Sequence, residues 1–218
     1  MNQYDFTLTF RLNNIEESPE KYVENLGANG CNDALIGIGK LGSISLNFNR
    51  ESESALQAVA TAIQDVKKAI PDATLTEATP DFVGMTDIAA IYGATRQYIR
   101  KIVTSQARSF PDPVHEGNPS LWHLADVLGW IHTYEPERLD RELYELSKLN
   151  MQINSYRSLL KASMSPGFSI RFDAKISRQQ SEWNDILHSA LGFTEVLPSA
   201  SPKRIHKKAC AVIGSGSH

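Results

Sequence analysis

An α+β fold follows from three features of the sequence. Apolar residues fall at every second position over 5–12, 34–38 and 44–48, the period of half-buried strands. Over 52–70 and 136–162 they recur at three- and four-residue steps, the period of helices. The order of these segments is the third feature, because a strand-helix-strand pattern repeated once limits how a sheet can be closed.

The first strand is carried by Phe6, Leu8, Phe10 and Leu12 on one face, against Thr7, Thr9 and Arg11 on the other. Ser18, Pro19 and Glu20 then supply an N-cap, a proline at the first helical position and an acidic first turn, so a helix is expected to about Gly27. Ala34, Ile36 and Ile38, followed by Ile44, Leu46 and Phe48, form a hairpin around the glycines of the 39–42 turn. From Ser52 to Ile70 the spacing of Leu56, Val59, Ala60, Ile63 and Val66 is that of an amphipathic helix, stopped by Pro71. A short run from Ala73 to Ala78 completes β-α-β-β-α-β, the ferredoxin-like split βαβ arrangement, expected over residues 1–82. By analogy with other users of that arrangement, its edges and open sheet face are where a protein partner or a small-molecule effector is expected; a plain packing domain is the other reading.

Residues 83–103, VGMTDIAAIYGATRQYIRKIV, fit a helix-turn-helix. Ala89 is small where two steeply crossed helices approach, and Gly93, four positions on, tolerates the positive φ of the turn. Ile88, Tyr92, Ile99 and Ile102 are the residues expected to hold the pair together. Thr86 and Asp87 open the first helix and Thr95 caps the second. Thr95, Arg96, Gln97, Arg100 and Lys101 project outward. Arginine and glutamine make bidentate contacts to guanine and adenine edges, while lysine and threonine reach phosphates, so this set suits double-stranded DNA.

The next stretch of chain sharpens the expectation. Phe110-Pro111-Asp112-Pro113 is an extended piece, a Gly117-Asn118 turn comes after it, and a helical pattern bears Trp122, Val127, Leu128 and Trp130. Over residues 83–134 the chain resembles the winged helix-turn-helix of the MerR superfamily, specifically its small AlpA and excisionase-like branch. There a Phe-Pro-x-Pro element follows the recognition helix, and after a short wing a Trp starts a helix ending in a Val-x-x-Trp pair, matched by Trp122, Val127 and Trp130. The resemblance implies DNA contacts from Thr86, Thr95, Arg96, Gln97, Tyr98, Arg100 and Lys101, and from a wing around His115, Glu116 and Asn118. Basic residues are common in that family's wing, whereas this one carries His115 and Glu116; Arg108, just before it, is the compensating cation. Trp122 and Trp130 fall on helical periods with Leu121, Leu124 and Leu128 and are read as core.

From Pro136 to about Ala162, Leu139, Leu143, Leu146, Ile153 and Leu160 form an imperfect heptad seam, interrupted at Asn150 and Arg157. MerR-like regulators dimerise through a long helix after the wing, so residues 135–166 are expected to join a homodimer; packing back on the same chain is the competing reading. In the region 167–213, Phe168, Ile170 and Phe172 alternate, residues 179–191 suit a helix, and the run from Pro198 to Lys208 is polar and basic. Residues 214–218, Gly-Ser-Gly-Ser-His, read as a tag remnant.

The 218 residues carry 22 Lys+Arg against 25 Asp+Glu, a net charge of -3, which neither demands nor forbids a local DNA-binding patch because salt screens fields beyond about 10 Å. The start MNQYDFTLTF has no basic and apolar leader, and no run of about 18 apolar residues occurs, so a cytoplasmic, nucleoid-associated protein with no membrane contact is expected. Cys31 and Cys210 lie outside any paired spacing, and no phosphate loop, GxSxG or HExxH is present, so neither a cofactor nor an enzymatic activity is predicted. His123 with Asp126 and His132 with Glu135 have helical spacing a metal could use, but read as structural. The expectation is a sequence-specific regulator of a bacterial or phage operon that binds operator DNA as a homodimer. An excisionase-like DNA-bending protein and an antitoxin-like interaction module stand beside it.

Overall fold

Ten alternating residues form β1 (Asn2–Arg11), with Tyr4, Phe6, Leu8 and Phe10 buried on one face. In the computed structural model, residues 1–105, 109–163 and 178–192 are described. Arg108, the 168–172 alternation, the basic run, Cys210 and the tag remnant lie outside the described residues. Ser18 accepts a hydrogen bond from the Glu20 N–H, and Pro19 opens a 3-10 turn (Pro19–Tyr22) leading into α1 (Val23–Ala28). The hairpin follows as β2 (Ala34–Gly37) and β3 (Ser43–Ser52), and Gly42 at φ +67° closes it where a Cβ would stand 2.6 Å from Ile15 Cα. β3 is longer than its apolar alternation suggests, because Arg50 and Ser52 continue the inward-facing positions. The Ser54 hydroxyl accepts from the Gln57 N–H at 3.2 Å, so α2 (Ala55–Ala69) starts after Ser54 rather than at Ser52. β4 (Thr74–Thr79) ends this part.

The four strands form one antiparallel sheet in the order β2-β3-β1-β4. Each helix therefore links two strands that have a third between them. α2 buries Ala58, Val59, Ala62, Ile63 and Val66 against the apolar face of β1 and β3. The opposite face is polar, with Asn47 donating to Thr7 and Thr9 hydrogen-bonded to Ser45, both at 2.9 Å. The chain is thus α+β.

Beyond the sheet, β5 (Phe82–Val83) pairs antiparallel with β6 (Trp122–His123), and between them lie α3 (Met85–Tyr92) and α4 (Arg96–Ser105). α5 (Leu124–Tyr134) comes directly after. The sequence places Trp122 at the start of that helix; it sits instead in a strand rung opposite Val83, with its indole N–H donating to the Pro111 carbonyl at 3.0 Å. Pairing with β5 holds its backbone extended. A second core gathers Ile88, Tyr92, Ile99 and Ile102 with Phe110, Trp122, Leu128 and Trp130, all buried.

α6 (Arg141–Ser163) begins later than Pro136, which heads a separate 3-10 turn (Pro136–Arg138). The Asp140 carboxylate accepts from the Leu143 N–H at 2.9 Å and sets the start. Its seam residues are filled from within the chain. Leu139 and Leu143 pack on the second core, while Leu146, Leu149 and Ile153 are buried in the first, with Leu160 packed against it. The stripe expected to meet a second copy is thus covered by the chain's own two cores, which together offer enough apolar surface to occupy both ends of the helix. The amide of Asn154 lies along β4, accepting from Ala78 N–H at 3.0 Å and donating to Ala78 C=O at 2.8 Å. α7 (Arg178–Ala190) adds Trp183, Leu187 and Ala190 to the first core beside α2. Among the described residues no helix is long and apolar enough to cross a membrane.

Candidate nucleic-acid interface

The turn between α3 and α4 is built by three local devices. Gly93 ends α3 in the left-handed region (φ 71°, ψ 36°), the Ala94 N–H reaches back to the Ala89 carbonyl (2.9 Å), and the Gly93 N–H to that of Ala90 (3.2 Å). This paired 6→1 and 5→2 bonding satisfies the last carbonyls of the helix and reverses the chain. Asp87 accepts from the Gly84 N–H at 2.8 Å at the start of α3, and the Thr95 hydroxyl accepts from the Tyr98 N–H at 3.2 Å at the start of α4.

α4 buries Ile99 and Ile102 and exposes Arg96, Gln97, Arg100 and Lys101. The end of α3, on which α4 packs, is fixed from below. The Tyr92 hydroxyl donates to the Glu135 carboxylate at the end of α5, and the Arg138 guanidinium lies 4.8 Å over the Tyr92 ring. Burial first, then that hydrogen bond, push the Tyr92 hydroxyl well above its ordinary value. Tyr98 packs its ring 5.9 Å from that of Tyr92 and is 45% exposed, which leaves its edge available beside the arginines.

Opposite the first turn of α4, His115 and Leu121 exchange two backbone hydrogen bonds (3.3 and 3.0 Å) and close an exposed loop over 116–120. Between that loop and α4 lies a cleft of about 350 Å³, lined by Arg96, Gln97 and Arg100 on one side and Asn118 and Ser120 on the other. Four of the expected contact residues thus share one concavity. Thr86, Thr95, Tyr98 and Lys101 are exposed outside the cleft lining, and His115 serves the base of the loop. Met85, Gly117, Pro119 and Ser120 also line the cleft and were not anticipated; the only sequence signal was the Gly-Asn-Pro turn itself. Among the described residues none of Arg96, Arg100 and Lys101 is in an ion pair. Unpaired cations around an open groove suit a polyanion.

Where the two cores meet, three segments converge on Asp81, which is 1% exposed. Its carboxylate meets His123 Nδ1 at 2.6 Å and accepts from the Asn154 amide at 2.7 Å, and its carbonyl accepts from the Leu124 N–H at 2.6 Å. Asn150 donates to the Pro80 carbonyl at 3.1 Å. This bracket ties the end of β4, the start of α5 and the middle of α6 together. His123 is thus engaged by a carboxylate from another segment rather than by Asp126. Among the described residues no group of three potential metal ligands is assembled.

In comparison with known proteins, no family model, no curated protein and no solved structure matches the chain.

Proposed function

We propose that the chain is a sequence-specific DNA-binding regulator of a bacterial or phage operon, with α3 and α4 as a helix-turn-helix and the 116–120 loop as its wing, in the manner of the MerR superfamily and its AlpA-like branch. On this reading α4 enters the major groove, Arg96, Gln97 and Arg100 meet base edges, and Lys101, Thr95 and Thr86 meet phosphates. Asn118 and His115 follow the backbone from the wing. The observation that carries the proposal is the shared cleft of Arg96, Gln97, Arg100 and Asn118 together with the absence of ion pairs on the α4 cations among the described residues. The β2-β3-β1-β4 sheet then serves as a ferredoxin-like companion domain, supported by its strand order and its two crossover helices. A homodimer would set two recognition helices about 34 Å apart on the duplex. Its interface lies outside the α6 stripe, which the chain itself fills.

Fluorescence anisotropy of the tag-free protein against its own upstream DNA and a scrambled duplex, at low and physiological salt, tests this. Preference for the upstream DNA that survives higher salt is the expected result. Equal, weak binding to both duplexes would favour an architectural role in bending DNA, and no binding at low salt would move α4 to a protein-docking surface.

A further inference from the structure

A second cavity, of about 1110 Å³, opens between the polar face of the sheet, the β5–β6 rung and the C-terminal half of α6. Sites for small molecules usually occupy about 300–1,000 Å³, so this one has room for a ligand as large as a nucleotide. Three cations line it: Arg11 at the end of β1, Lys40 in the β2–β3 turn and Arg157 on α6. Among the described residues none of the three is in an ion pair, and Glu77 is the one carboxylate in the lining. Three cations from three separate elements outnumber the single carboxylate of the lining, and guanidinium forks match phosphate oxygens two at a time.

The opposite wall is aromatic. Phe82 is 50% exposed, a costly position for a large apolar ring, and is stacked on the His123 imidazole at 4.8 Å with 29° between the planes. His123 is itself fixed from behind by Asp81. A rigid ring with one open face at the rim of a cationic cavity is a stacking platform.

The geometry points to a nucleotide site in this cavity, with phosphates held by Arg11, Lys40 and Arg157 and the base stacked on Phe82. Glu77 and the oxygens of the Thr76 and Ser43 hydroxyls, whose protons are donated to the Thr9 and Phe10 carbonyls, supply acceptors for the sugar hydroxyls or the base edge. The site meets the core beneath α3 and α4 at the β5–β6 rung, among other contacts. Phe82 and Val83 pair with His123 and Trp122, and Val83 and Trp122 belong to the core beneath α3 and α4. If the DNA-binding reading holds, on which this coupling rests, nucleotide and DNA change each other's affinity by the same factor.

The 218-residue chain is titrated into methylanthraniloyl-labelled ATP and followed by anisotropy, without DNA, with unlabelled ATP, AMP, adenosine and tripolyphosphate as competitors. Saturable binding is expected, with ATP or AMP displacing the probe better than adenosine or tripolyphosphate. Arg157→Ala and Phe82→Ala each weaken it about tenfold or more, while Arg96→Ala leaves it unchanged. No binding up to about 1 mM protein overturns the inference. So does binding that survives both Arg157→Ala and Phe82→Ala, or tripolyphosphate competing as well as ATP. Because the titration contains no DNA, failure here leaves the operator reading standing, and failure of the operator titration leaves nucleotide binding standing.

Discussion

Arg50 on β3 and the Arg96–Arg100 pair on α4 carry the same guanidinium, and their surroundings differ in every respect that decides what a cation does. Arg50 is 8% exposed. Its Nε and Nη2 donate to the Asp33 carboxylate at 2.7 and 3.0 Å, its Nη1 to Asp65 and Thr61 at 3.0 Å, and Nη2 also to the Gly30 carbonyl at 2.8 Å. Burial pulls its pKa down, but the two carboxylates outweigh that and leave it raised, so the charge is locked in place. Arg96 and Arg100 have solvent and a cleft instead. A cation whose valences are filled by its own chain holds the fold. One left unfilled on a braced helix is available to something outside.

Four experiments break or sharpen that contrast. Arg50→Ala strands Asp33 and leaves Asp65 with Lys68 alone in a mostly buried pocket, and is expected to lower stability by about 3 kcal/mol, the low end for a broken buried pair because Asp33 keeps some solvent contact and Asp65 keeps its second cation. Urea denaturation reads it, and a loss under about 1 kcal/mol would erase the distinction. Arg96→Ala is expected to do the reverse, weakening specific DNA binding by about 1–3 kcal/mol while moving stability by less than about 0.5 kcal/mol. Unchanged operator affinity removes Arg96 from the contact set. Thr95→Ala, which removes the α4 cap, should cost about 1 kcal/mol of stability and a smaller share of DNA affinity; thermal melts and the same titration separate the two.

A pH dependence beside Arg50 comes last, because it leaves stability near neutral pH untouched. Burial first, then Asp65, push the Cys31 thiol up from an ordinary 9.0 to about 11, with Arg50 opposing. A folded value above the unfolded one means stability that is fully present below pH 9.0 and is lost as pH rises through about 11. Cys31→Ala is expected to flatten that part of the stability curve relative to the parent chain; parallel curves would show that the thiol does not titrate as described.

The first 79 residues were legible because a strand half covered by helices writes its burial directly as alternation. Phe6, Leu8 and Phe10, or Val59, Ile63 and Val66, need no partner to be read. The α3–α4 turn was legible for the same local reason, since Ala89 and Gly93 are dictated by the turn itself. Two things were not. The leucines of α6 record that something apolar covers them, and periodicity carries no mark that tells a second copy from the chain's own cores. The bracket at Asp81 joins residues 42 and 73 positions apart, His123 and Asn154, so no local spacing could announce it. The α4 contact residues were named from sequence, but the cleft they share with Asn118 depends on where the loop folds, and Arg50 gave no sign because its two carboxylates lie 15 and 17 positions away.

The Asn154 amide also protects the rim of the sheet. An outer strand normally offers its unpaired amides and carbonyls to any extended chain that drifts past, which is how soluble proteins begin to polymerise. At Ala78, near the end of β4, both groups are taken by the Asn154 side chain, and α6 runs along that edge. The other outer strand, β2, is only four residues long and ends at Gly37. Neither border of the sheet gives an intruding strand a long run of free hydrogen bonds, so the chain is guarded against fibril growth by a single amide on one side and by brevity on the other.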